Sequence, residues 1–297
     1  MQLAESRLPT PRYVEFSGTN VATYVLEPER SMGDVVFCHG TPWSAQVWAD
    51  VAYRLGSNYR VFLWDMPGYG HSIGPADTPL DLPTQMSRFS ELLAHWELER
   101  PHVVAHDIGG AVALGAHLLH DNDFAALFLW DVVTLAPWGS PFFRLVADHS
   151  EVFAQLPGPL HAALVQEYIS AAAHHRLDSE WLDRLCQPWL GESGQRAFYR
   201  QIASLRPEHT EPVADRLPRT RCGVEIGWGT DDPWLPFAQA TRLRDQLPGD
   251  QSVVRIEGAG HLTPIETPIH VGDELEEWLT RTGIALTTDN REHSPKN

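Results

Sequence analysis

The sequence predicts an α/β fold, a mostly parallel central sheet flanked by helices with an inserted helical segment. Three observations carry this. Short, almost continuous apolar runs alternate with helical patterns, as strands buried on both faces do. Between Thr134 and Thr220 the alternation stops and no convincing strand is found. Apolar strands then return, which makes the middle stretch an insertion into one sheet. With 297 residues the chain is long enough for one large core carrying such an insertion.

Taken in order, residues 12–18 and 20–26 read as two strands joined at Ser17-Gly18-Thr19-Asn20, a hairpin signal. A short apolar strand at 34–38 ends on His39-Gly40-Thr41-Pro42, and 43–55 has a helical pattern. The next strand, 61–65, closes on Pro67-Gly68-Tyr69-Gly70, which is turn chemistry. Residues 82–98 form an amphipathic helix with Phe89, Leu92, Leu93 and Trp96 on one stripe. A strand over 125–131 follows the stretch discussed next. In the insertion, helical patterns cover 142–153, 161–174, 179–185 and 193–205. Strands at 223–228 and 252–256 resume the sheet, with helices at 236–247 and 268–282. The expected division is a core of 1–133 and 221–297, a helical lid of 134–220, and a polar, frayed tail over 284–297.

The stretch Val103-Val104-Ala105-His106-Asp107-Ile108-Gly109-Gly110 is the most informative. An apolar strand stops, small residues make a tight turn, and an apolar helix begins, with an acid at the apex. Small-x-nucleophile-x-Gly is the pattern of a nucleophile elbow. Here Ala105 holds the first small position and Asp107 the apex. An Asp before a helix is also an ordinary N-cap, so the stretch alone leaves both roles open.

Bulk properties narrow the partners. Against 22 Lys plus Arg stand 39 Asp plus Glu, a net charge of −17 that disfavours nucleic acid and anionic membranes. Cys38, Cys186 and Cys222 are odd in number and lack C-x-x-C spacing, so neither a disulfide framework nor a zinc site is expected. No apolar signal region or membrane-length run is present, so a cytoplasmic location is expected. No phosphate loop or ligand cluster implies a cofactor, and none is expected. The expected partner is a small-molecule substrate, with a homodimer left open.

Ligands of doubly wound sheets gather at the carboxyl ends of strands. Asp107, Asp131, Asp232 and His261 all follow such ends, as does His39-Gly40-Thr41-Pro42. Nucleophile, acid, histidine in that chain order resembles the α/β-hydrolase family over nearly the whole chain. Within it, an apex Asp resembles the branch of epoxide hydrolases and haloalkane or haloacid dehalogenases. The chemistry agrees. A carboxylate, with a reference pKa of about 4, is ionised at neutral pH without a base and forms an ordinary ester when it attacks saturated carbon.

The resemblance implies Asp107 as nucleophile, His261 as general base for hydrolysis of the ester, and Asp232 as the acid that orients His261. Asp131 is the alternative acid, since several relatives place theirs there. Backbone N–H groups of Thr41 and Ile108 would form the oxyanion hole. Haloalkane dehalogenases resemble one another in carrying Trp after the nucleophile, and fluoroacetate dehalogenases carry Arg. Ile108 offers neither donor. An epoxide needs an acid for its ring oxygen, and Tyr168 and Tyr199 are the lid candidates, with His174-His175 as a substitute. Trp43 and Trp138 are the candidate halide donors. The expected activity is epoxide hydrolysis, the alternative dehalogenation, and the reading from another class a non-catalytic binding protein.

Overall fold

A computed structural model describes residues 6–16 and 18–292, with residues 284–292 described by backbone alone. Eight strands form one sheet: β1 (Arg12–Phe16), β2 (Thr19–Leu26), β3 (Asp34–Cys38), β4 (Arg60–Trp64), β5 (His102–His106), β6 (Ala126–Trp130), β7 (Gly223–Gly229) and β8 (Val253–Ile256). Their spatial order is β1-β2-β4-β3-β5-β6-β7-β8. β1 and β2 pair antiparallel, as do β2 and β4, and every later pairing is parallel. β5 and β6 are buried at every position. That explains their largely apolar sequences, since helices cover both faces.

The helices are α1 (Ala49–Leu55), α2 (Leu82–His95), α3 (Ile108–Leu119), α4 (Pro141–Phe153), α5 (Gly158–Ser170), α6 (Ser179–Cys186), α7 (Gly191–Ser204), α8 (Glu211–Ala214), α9 (Ala238–Arg244), α10 (Thr263–Glu266) and α11 (Pro268–Glu292). The consecutive helices α4–α8 fill the interval between β6 and β7. Asp81, Ser140 and Asp178 cap α2, α4 and α6 through side-chain acceptors.

Two helices, α5 and α11, differ most from the sequence expectation. α5 starts earlier than expected because Pro159 fits a first helical turn. It stops at Ser170 because the N–H groups of His174 and His175 donate to the Glu266 carboxylate instead of continuing the helix. The helix expected to end at 282 continues in backbone to Glu292, so a frayed tail from 284 is not what the backbone describes there; residues 293–297 lie outside the described residues. Among the described residues no helix is long and apolar enough to cross a membrane.

Candidate active site

Asp107 sits at the sharp junction of β5 and α3 with φ 51° and ψ −128°. That conformation is costly for a residue with a Cβ and marks stored strain. Two glycines make the turn feasible. A Cβ on Gly109 would collide with the His39 carbonyl, and one on Gly40 would collide with the Asp107 side chain. The side chain of Asp107 makes no capping bond to α3. Its Oδ2 instead accepts the Thr41 N–H across the sheet at 2.9 Å. The N-cap role therefore fails, and the carboxylate is free to face the strand ends.

His261 is fully buried, and its two ring nitrogens have different surroundings. Nδ1 bonds Asp232 Oδ2 at 2.8 Å. Nε2 has no hydrogen-bond partner among the described residues and lies 3.9 Å from Asp107 Oδ2. Asp232 is itself fixed, because its Oδ1 accepts the N–H groups of Trp234 and Leu235 at 2.7 and 2.8 Å. Asp131 is engaged elsewhere: Oδ1 accepts the Gly229 N–H and Oδ2 the Thr263 hydroxyl. Of the two expected acids, the structure thus brings Asp232 and not Asp131 to the histidine.

Electrostatics follow from this packing. Burial pushes the Asp107 carboxyl above its ordinary range, opposed by the nearby His261 and the Thr41 N–H. For His261 burial disfavours the imidazolium, but the charges of Asp232 and Asp107 outweigh it and hold its pKa well above the ordinary value. Burial and then the charge of Asp232 push Asp131 far up, which favours a neutral acid there. The adjacent His106 is pushed well down, by burial and then by His261. It stays neutral, with Nε2 donating to the His261 carbonyl at 2.7 Å.

A cavity of about 40 Å³ opens over the apex. Its wall includes Thr41, Asp107, Ile108 and His261 from the core, with Trp138, Phe143 and Tyr168 from the insertion. Tyr168 stacks on Trp234 with ring centroids 4.7 Å apart, and its hydroxyl has no hydrogen-bond partner among the described residues. Burial first, then the charge of Asp107, raises its pKa, so the phenol keeps its proton.

Other expected binding residues are placed differently. Tyr199 is not on the cavity wall, and its hydroxyl is taken by His161 Nδ1 at 2.8 Å. The helix α7 turns it toward α5, whose His161 also bonds the Trp189 carbonyl. Trp138 lines the cavity, but its indole N–H is given to Thr210 Oγ1 at 3.1 Å. Trp43 is buried behind Trp234, stacked at 5.7 Å, and is not on the wall. His174 and His175 are held at the seam with α10 through Glu266 and do not line the cavity.

Three contributors escaped the sequence reading. Trp234 packs between Tyr168 and His261. Its position two residues after Asp232 was the available signal. Tyr69 and Gln201 meet beside Thr41, and nothing local in the sequence announces that meeting. Among the described residues no cluster of three or more His, Cys, Asp or Glu is arranged to hold a metal ion.

An acid at a strand–helix elbow, a histidine after the last strand, and helices inserted over the strand ends together define an α/β-hydrolase scaffold. The chain belongs to the alpha/beta hydrolase family, whose profile matches residues 35–271. It is similar to an alpha/beta hydrolase fold protein from Burkholderia ambifaria, with 38% identity and a TM-score of 0.86 over 90% of this chain and 97% of that one. It is also similar to Epoxide hydrolase A of Mycobacterium tuberculosis, 26% identical over 92% of this chain and 98% of that protein. Haloalkane dehalogenase DatA from Agrobacterium tumefaciens C58 superposes with a TM-score of 0.76 over 92% and 96% of the chains. At 18% identity that likeness concerns the fold alone.

Proposed function

We propose that this protein is an epoxide hydrolase that converts a small neutral epoxide to a diol through a covalent ester on Asp107. The observation that carries the reading is the Tyr168 phenol, unpartnered and protonated, in the same cavity wall as Asp107 and His261. An epoxide oxygen leaves as a strongly basic alkoxide and needs a proton donor, whereas a halide needs only N–H groups to settle against. Of the two indoles on the cavity wall, Trp138 has its N–H committed to Thr210, and Trp234 is packed between Tyr168 and His261. The likeness to Epoxide hydrolase A supports the same reading.

In the first step an Asp107 oxygen attacks a ring carbon, the ring C–O bond breaks, and Tyr168 gives its proton to the departing oxygen. Ester formation removes the charge on Asp107, one of the two that keep a proton on His261. The Nε2 proton passes to the Tyr168 phenolate, and the neutral imidazole is then a competent base. In the second step His261 Nε2 takes a proton from water, whose oxygen adds to the ester carbonyl. The Thr41 and Ile108 N–H groups meet the oxyanion. Collapse breaks the bond to the product oxygen, which takes the proton from His261. The acid left on Asp107 returns its proton to His261, which restores the resting imidazolium and closes the balance at epoxide plus water giving diol.

Asp232 keeps Nδ1–H pointed at itself, so that once the ester has formed and the ring is neutral, Nε2 carries the lone pair toward the cavity. A cavity of about 40 Å³ holds about three water-sized groups, so the closed arrangement suits an epoxide of a few carbons.

The test uses 1,2-epoxybutane, styrene oxide and 1-bromobutane, with diol measured by gas chromatography and bromide by ion chromatography. Diol from the small epoxide at a higher kcat/KM than from styrene oxide supports the reading. Bromide release without diol assigns the protein to dehalogenation, and tight binding without turnover assigns it to ligand capture.

A further inference from the structure

The loop between β3 and α1 carries the N–H that contacts Asp107, and the insertion grips this loop at two points. Trp189 Nε1 donates to the Pro42 carbonyl at 2.9 Å. One helix later, Gln201 Oε1 accepts the Thr41 hydroxyl at 2.7 Å and the Tyr69 hydroxyl at 2.9 Å. Gln201 lies on α7, fully buried, and its Nε2 has no hydrogen-bond partner among the described residues. An amide buried with its own donors unpaired is unfavourable, so its retention there calls for a gain elsewhere. The gain is visible in Thr41, which is bonded on both sides: its hydroxyl to Gln201 and its N–H to Asp107 Oδ2.

We propose that Gln201 is a positioning residue that, through Thr41, aims one oxyanion-hole N–H at Asp107 and ties that aim to the packing of α7 on the core. The proposal rests on the ester mechanism above. A donor aimed before the reaction is worth most where negative charge develops, and that is at the ester carbonyl during hydrolysis. Formation of the ester, by contrast, disperses charge from Asp107 toward the ring oxygen and Tyr168. Loss of the Gln201 contact therefore acts on the second step more than on the first. When hydrolysis alone slows, kcat and KM fall together and kcat/KM holds. A general packing defect lowers kcat/KM instead.

The experiment compares wild type, Gln201→Met, Thr41→Val and the double variant with 1,2-epoxybutane. Thr41→Val removes the hydroxyl, keeps the N–H and leaves α7 untouched, so it reports the same link should the α7 variant fold poorly. Steady-state kinetics are combined with rapid quench and intact mass to follow the Asp107 ester. The expected result is a roughly 10- to 100-fold fall in kcat with a matching fall in KM and a longer-lived ester. The double variant should be no worse than either single one. An ester that forms and decays at the wild-type rate in both single variants overturns the proposal, as do losses in kcat/KM that add independently. Should neither wild type nor a His261→Gln variant ever acquire an ester, the mechanism beneath it is overturned as well.

Discussion

His261 Nε2 stands 3.9 Å from Asp107 Oδ2, while its other ring nitrogen is bonded to Asp232 at 2.8 Å. One nitrogen is thus committed to an acid and the other is directed at the apex carboxylate, with a cavity alongside. In the proposed mechanism this asymmetry separates a base that acts late from a nucleophile that acts first.

Replacing His261 with Gln should leave ester formation intact and block its hydrolysis. Turnover is expected to fall by roughly 10²- to 10⁴-fold, the usual contribution of a positioned base. Intact mass after incubation with 1,2-epoxybutane should show the protein heavier by one substrate. An unmodified protein in that variant contradicts the assigned order of steps.

The two acids beside His261 should separate in kinetics. Asp232→Asn removes the acceptor that fixes the imidazole tautomer, and kcat should drop by about 10³- to 10⁴-fold. Asp131→Asn alters a group bonded to Gly229 and Thr263, so kcat should stay within about tenfold of wild type. Equal losses in the two variants contradict the assignment.

Tyr168→Phe should slow epoxide opening by about 10²-fold or more, because the ring oxygen loses its proton donor. Tyr199→Phe should leave that rate near wild type and instead lower stability by about 1–2 kcal/mol, since buried His161 Nδ1 loses its partner. Single-turnover kinetics and denaturant unfolding read the two effects separately.

Much of this site was legible in the sequence, and the boundary of what was legible has a physical cause. Asp107, Asp232, His261 and Thr41 each follow a strand, and a parallel sheet gathers its strand ends whatever the side-chain detail. The choice between Asp131 and Asp232 was not available, because both end strands and only their hydrogen-bond partners distinguish them. Tyr199 looked like a wall residue because its Phe-Tyr-Arg context was visible, whereas the rotation of α7 toward His161 was not. Gln201 meets Thr41 across 160 residues of chain, a contact that no periodicity or spacing encodes.

A pH measurement tests the coupling of Asp107 to His261. The charges of Asp232 and Asp107 hold the imidazole pKa above its ordinary value, so Asp107→Asn should lower it. Nitrogen-15 histidine spectra across a pH titration, assigned against His261→Gln, read the shift. The sign has a consequence for stability. A raised folded-state pKa contributes stability that is complete below about pH 6.5 and is lost as pH rises through the folded value. In Asp107→Asn the upper edge of that window should move down, and an unchanged or higher imidazole pKa contradicts the coupling.

The elbow itself should prove to be strained. Asp107→Gly relieves a left-handed conformation worth about 1–3 kcal/mol, against about 0.4–1 kcal/mol of added unfolded-chain entropy. The inactive variant should therefore be more stable than wild type by on the order of 1 kcal/mol in denaturant unfolding. A clear loss of stability contradicts the presence of strain at the apex.

The central claim is that Asp107 itself becomes bonded to substrate carbon. A single turnover in water enriched in oxygen-18, with enzyme in excess over 1,2-epoxybutane, tests it most directly. The account predicts that the label enters the Asp107 carboxylate, found by mass spectrometry of its peptide, while the first diol released carries none. Label in that first diol, with an unlabelled Asp107 peptide, contradicts it.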